Sequence, residues 1–330
     1  MTNISLKNIA AVVVAFAVLA LTAGCGGKKS DAKQSQPLVK IACDESFENI
    51  MAQEISVYEY IYPKEDVIAY YLPENACIDS IMAMGGVKSA VITRPLTDKE
   101  VSYLRSHKKV VHQQRIAVDA LAIIVNPANT VEILSRKEIA EILSGEVTRW
   151  DQVEPSKLGE IDVIFDHQGS STVKYMRDSI LYGKPFGPNV SAVKTNPDVF
   201  KAVAENKNAM GVIGVSWVTS DLKGREYSTE DLAQAVEKSD TTQLDFNQDV
   251  KVLKIRGNGV VQAYKPYQAY ILDGSYPLFR SVYMVSTAPG GTTTHRFYSF
   301  VSGFQGQKLI QMTGILPATL RPRLVSVERR

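Results

Sequence analysis

Histidine, cysteine and tryptophan are scarce, with 4, 3 and 2 among 330 residues. The histidines (His107, His112, His167, His295) stand singly and no CxxC pair occurs, so the ligand spacing of a zinc site is missing. No metal and no cofactor are expected. Charge of one sign is lacking too: 37 Lys and Arg oppose 35 Asp and Glu, a formal net charge of +2. The longest basic runs are pairs such as Lys28–Lys29 and Lys108–Lys109. They make no basic stripe for nucleic acid. A GxSxG turn is absent, and with it the usual mark of a serine hydrolase. No internal repeat or low-complexity tract is visible.

The unbroken apolar run Ile9–Leu21 follows a short start carrying Lys7. It is shorter than the roughly 20 apolar residues of a membrane span and fits a signal-peptide core. "LTAGC" comes next, small residues before Cys25, and it resembles a bacterial lipobox, with Thr22 departing from the usual leucine. The expectation is a signal peptide over 1–24, lipidation at Cys25 and a polar tether over 25–37. An ordinary secretory signal with Cys25 incidental is the alternative. Either way the protein leaves the cytoplasm. Cys43 and Cys77 remain; nothing in their spacing specifies a bridge, and two buried thiols are expected.

Past the tether, short apolar runs alternate with helical patterns. "PLVKIACD", "DVIAYYL" and "VKSAVIT" read as strands, separated by a helix from Ser46 to Tyr60 and another ending at Gly85. Capping boxes at Thr97–Glu100 and Ser135–Glu138 open two further helices. The β-α-β-α order implies a mostly parallel sheet covered by helices. "IAVDALAIIVN" and "YPLFRSVYMVS" are long strands that bracket a central block. They suggest two α/β lobes joined by two crossings: 38–118 with 276–330 as the first lobe, and 119–275 as the second. The polar stretch Val218–Gly259 reads as a peripheral insertion or loop.

"DHQGSSTVKYM" (Asp166–Met176) places Ser170, Ser171 and Thr172 at the mouth of a helix. Unpaired N–H groups and partial positive charge make a helix start receptive to anions, and hydroxyls add donors there. Ordinary capping needs only one such hydroxyl. Similar polar junctions follow other strands: Ser46 before the first helix, Asn75 near the second, and Thr93 with Arg94 after the third strand. In open α/β sheets ligands bind beyond the carboxyl ends of the strands.

Together with "VDALAIIVNPANT", "LSRKEIAEILSGEVTRWDQV", "HQGSST", "AMGVIGVSW" and "FQGQKLIQMTGILP", these junctions resemble the phosphate-binding, substrate-binding proteins of ABC transporters over essentially the whole mature chain. The resemblance implies a two-lobed periplasmic-binding-protein fold, mostly parallel, with two crossover strands. It implies a monomeric, lipid-anchored, extracytoplasmic receptor that is not an enzyme and hands inorganic phosphate to a membrane permease. Ser46, Phe47, Asn75, Thr93, Ser170, Ser171 and Thr172 fall on or near the family's anion contacts. The family's motif arginine falls on Asp166, however, its motif aspartate on Gln168, and its second aspartate on Thr93. Acid and arginine look exchanged between two loops. Arg94 is therefore expected to face the anion, with Asp166 orienting it or accepting a phosphate proton, and Glu74 or Glu45 as other acceptors. Arg280 reads as a core-rim residue that could reach the cleft. Sulfate, a phosphorylated metabolite, an envelope serine hydrolase using Ser170 or Ser171, and an adhesion or sensor protein are the competing functions.

Overall fold

The computed structural model describes residues 37–219, 229–230, 234 and 246–320. The leader, Cys25 and all of the tether but Pro37 lie outside the described residues, as does most of the expected insertion.

The strands are β1 (Leu38–Asp44), β2 (Asp66–Leu72), β3 (Ser89–Ile92), β4 (His112–Val125), β5 (Ile133–Ser135), β6 (Asp162–Phe165), β7 (Val190–Ala192), β8 (Ala209–Gly214), β9 (Lys251–Val252), β10 (Lys254–Arg256), β11 (Ala263–Tyr264), β12 (Phe279–Ser286) and β13 (Leu316–Pro317). The helices are α1 (Glu48–Ile61), α2 (Glu74–Met82), α3 (Asp98–Ser106), α4 (Arg136–Ser144), α5 (Ser171–Tyr175), α6 (Asn196–Glu205), α7 (Gln268–Leu272), α8 (Thr293–Ser302) and α9 (Phe304–Met312). One curled mixed sheet runs β2-β1-β3-β12-β4-β8-β6-β7, with β13 and β9 also on β4 and a small β11-β10-β5 sheet beside it.

The parallel pairs β1–β2, β1–β3, β6–β7 and β6–β8 occupy the two ends of this sheet, and antiparallel pairs fill its middle. Of these parallel strands, β1, β3, β6 and β8 are largely buried, as covered parallel strands are, whereas the edge strands β2 and β7 are partly exposed. β4 is the spine. Its ten residues Ile116–Val125 are all buried. Up to Ala120 it pairs with β12, and from Leu121 with β8. Of the second long strand expected over 276–286, Phe279–Ser286 forms β12, and the residues just before it are tied to β4. There the Leu121 N–H donates to Leu278 O and the Tyr276 hydroxyl to Leu121 O.

Both capping boxes form. α4 ends at Gly145, whose φ of +80° suits a residue without Cβ. Gly211 of β8 lets α6 close onto the sheet, since a Cβ there would come within 2.8 Å of Ile124 Cγ1 and of Val203 Cγ2. The stretch read as a polar insertion needs correction at its end. Val252 and Ile255 are buried, and β9 and β10 are ladder strands on β4 and β5. The apolar residues Val250, Val252, Leu253 and Ile255 are too few to stand out against their polar flanks. Cys43 and Cys77 are buried free thiols.

Candidate functional site

β1 ends in Asp44, whose Oδ1 accepts the N–H of Ser46 at 2.9 Å and so starts the turn that precedes α1. At the end of β6, Asp166 Oδ1 accepts the Ser170 hydroxyl at 2.6 Å, and Ser170 Oγ in turn caps α5 by accepting the Val173 N–H at 3.1 Å. These two loops meet. Ser171 Oγ donates to Asp44 Oδ1 at 3.0 Å, lies 3.0 Å from Ser46 Oγ, and accepts from Arg280 Nη1 at 2.8 Å. Ser171 has one proton to give, and Asp44 takes it, so the Ser46 hydroxyl is left to donate to Ser171.

Arg280 lies opposite Asp119 in the β12–β4 ladder and donates through Nε to Asp119 Oδ2 at 3.0 Å. Its guanidinium carbon sits 5.1 Å from the centre of the Phe47 ring, a cation–π contact. The indole of Trp217 donates to Ser46 O at 3.1 Å and fixes the same turn from β8's end. Arg280 Nη2 and Thr172 Oγ1 are buried with no hydrogen-bond partner, as are Asp44 Oδ2 and Asp166 Oδ2. Burial pushes the Asp44 and Asp119 carboxyls up, while Arg280 pulls both back down. Unpaired buried donors beside an arginine are costly to keep unless something binds them.

Of the expected site residues, Ser46, Phe47, Ser170, Ser171 and Thr172 are buried and lie together on these two loops, with Arg280. Asn75 is exposed on α2, and its neighbour Glu74 turns inward instead. Glu74 accepts from the Thr93 N–H at 2.8 Å, from the Thr93 hydroxyl, and from Lys174 Nζ at 3.0 Å. Thr93 is thereby occupied. The expectation for Arg94 needs correction: both its Nη atoms donate to Glu100 at 2.8 Å, and Nη1 also to Pro95 O. The Thr97 capping box holds Glu100 close enough to claim it. Asp166 orients Ser170 and makes no contact with Arg94. The arginine that reaches these loops is Arg280, expected as a core-rim residue with reach to the cleft. Asp44 and Asp119 were missed. A lone aspartate inside the apolar run "IAVDALAIIV" was the available signal for Asp119.

Glu45 and His167 face each other across the two loops, and His167 Nδ1 accepts the Gly169 N–H at 3.2 Å. His167 therefore gives no base to Ser170 or Ser171, whose hydroxyls go to carboxylates. Among the described residues no cluster of three metal-ligating side chains occurs.

The sequence profile of the PBP superfamily domain matches residues 28–303. The chain belongs to the PBP superfamily. Among its relatives, the phosphate-binding protein PstS of Pseudomonas aeruginosa is 21% identical over 285 residues, which cover 82% of this chain and 79% of that protein. A solved structure of an ABC-type phosphate transport receptor from Vibrio cholerae superposes with a TM-score of 0.61 at 22% identity, covering 84% of this chain and 99% of that one. A Clostridium perfringens protein solved with bound phosphate gives a TM-score of 0.65 at 20% identity, covering 86% and 100%. These likenesses establish the periplasmic-binding-protein fold, with its curled mixed sheet and flanking helices. In this member of the superfamily the two loops after β1 and β6 are drawn together by Ser46, Ser171 and Arg280.

Proposed function

We propose that the chain is an extracytoplasmic receptor that captures inorganic phosphate and delivers it to the permease of an ABC transporter. Relatives named above are a phosphate-binding protein and a phosphate transport receptor, and the observation that carries the reading to this chain is local. Arg280 Nη2 and Thr172 Oγ1 are buried donors without partners, next to Ser46 and Ser171. A small tetrahedral anion held by several charge-assisted bonds, each worth about 1.5–3 kcal/mol, offsets the cost of ordering the site. The site residues are Ser46, Ser170, Ser171, Thr172 and Arg280, with Phe47 beneath the guanidinium and Asp119 holding it. Residues 38–118 with 276–330, and 119–275, act as two lobes that close on the anion. Lys174–Glu74 and His167–Glu45 tie the closed arrangement together beside the site.

Cys25 carries the lipid that holds the receptor, a monomer, at the membrane; metabolic labelling with a fatty acid should mark the wild type and not Cys25→Ser. A hydrolase is disfavoured because neither Ser170 nor Ser171 has an imidazole at its hydroxyl. Calorimetric titration with phosphate and with sulfate tests the function. Binding of phosphate at micromolar or better affinity, with sulfate at least about a hundredfold weaker, is expected. Equal affinity for both anions would transfer the assignment to another oxyanion.

A further inference from the structure

Three buried carboxylates and one guanidinium meet the hydroxyls of this site. Asp44, Asp119 and Asp166 are each 1% exposed. Asp119 is held by Arg280 through Oδ2, with its Oδ1 buried and unpartnered behind it; Asp44 and Asp166 each also keep one oxygen, Oδ2, buried and unpartnered. Their other oxygens hold Ser171 and Ser170, so the two carboxylates flank successive hydroxyls from opposite loops. A carboxylate oxygen can only accept. A fully ionised oxyanion placed here would set acceptor against acceptor in a site closed to water, with one arginine to compensate three acids.

An anion that carries hydroxyl groups removes the conflict, because each P–OH donates to one free carboxylate oxygen. Resting on the phosphate reading above, we propose that this site takes the doubly protonated, singly charged form, dihydrogen phosphate, with Asp44 and Asp166 accepting its two protons. Capture at neutral and alkaline pH is then coupled to proton uptake. It makes no difference to the count whether the second proton rides on the phosphate or on a carboxyl. Burial already lifts Asp44 toward holding a proton, against the pull of Arg280, Ser46 and Ser171.

The charged and titratable groups facing Asp44 are Arg280 from β12, Asp119 from β4, Glu45 from its own turn, and the thiols of Cys43 and Cys77. Asp166 faces Glu45, with His167 beside it, and the Tyr175 phenol lies near Arg280 and Asp119. His167 is the confounding group, since its protonation would favour any anion at low pH.

The test is calorimetric titration of the mature protein with inorganic phosphate between about pH 6 and pH 9, in buffers of different ionisation heat. The expected result on the alkaline side is uptake of about one proton per phosphate, with the apparent Kd rising about tenfold per pH unit. Asp44→Asn and Asp166→Asn each replace a free acceptor by a donor, and each should lower the uptake and flatten that rise; either one suffices if the other fails to fold. His167→Gln should keep the uptake. Phosphate binding that is flat across this range, or a pH dependence that vanishes in His167→Gln, overturns the inference and leaves the phosphate reading intact. Absence of phosphate binding at every pH overturns the phosphate reading, and the inference with it.

Discussion

Replacing Arg280 with Met separates two roles that this residue combines. In the fold it neutralises Asp119, 1% exposed, through a 3.0 Å bond from Nε. In the site it offers Nη1, now spent on Ser171, and Nη2, which has no partner. Stripping a buried aspartate of its arginine costs about 3–5 kcal/mol, because the remaining charge is left uncompensated in the interior. Loss of up to two charge-assisted bonds to the anion costs about 3–6 kcal/mol of binding, or roughly two to four decades in Kd. A single variant would confuse a weaker fold with a weaker site. Asp119→Asn made on top of Arg280→Met removes the stranded charge, so the melting temperature should recover most of its loss. Phosphate affinity should stay lost. The assays are a thermal melt and a phosphate titration on the wild type, the single variant and the double variant. A double variant that binds phosphate as the wild type does would remove Arg280 from the site. A single variant that melts like the wild type would refute the description of Asp119 as a buried partner in need of a cation.

Thr172→Val swaps a hydroxyl for a methyl of similar size at a position with no bond to lose. It should weaken phosphate binding by about 1.5–3 kcal/mol in a titration while the melting temperature holds or rises slightly. Arg94→Ala should leave phosphate affinity unchanged and cost at most about 1 kcal/mol in chemical denaturation, because its pair with Glu100 is partly exposed. Glu54 is 0% exposed, both its carboxyl oxygens lack partners, and burial holds the group well above the usual carboxylate range. Its unfolded form ionises first, so rising pH favours the unfolded chain; Glu54→Met should raise the melting temperature more at about pH 7 than at about pH 5.

How far the sequence reached depended on whether the deciding interaction was local. The capping boxes of α3 and α4 formed as read, because a hydroxyl and a glutamate three residues apart satisfy each other without help from the rest of the fold. The hydroxyl cluster at α5 was legible for the same reason. Arg94 and Arg280 show where this kind of reading ends. Both sit near a strand end with a polar neighbour, and adjacency in sequence favoured Arg94, one residue from a family contact position. What assigns them is register. Arg280 falls opposite Asp119 across 161 residues of intervening chain, on strands that pair antiparallel, and that aspartate fixes its side chain toward Ser171. Arg94 finds Glu100 six residues away and is consumed there.

The same distinction explains why the acid and arginine implied by the resemblance seemed displaced. An anion site needs a cation held by a carboxylate and hydroxyl donors around it. It does not need them on one loop. In the proposed site the hydroxyls lie on the loops after β1 and β6, while the cation and its carboxylate lie on the paired strands β12 and β4. A buried ion pair between neighbouring strands is rigid, since neither partner can leave without stranding the other. With Arg280 as the proposed counter-charge, the anion would be met from paired strands rather than from a loop, and Asp44 and Asp166 would be left to accept the protons of the proposed ligand.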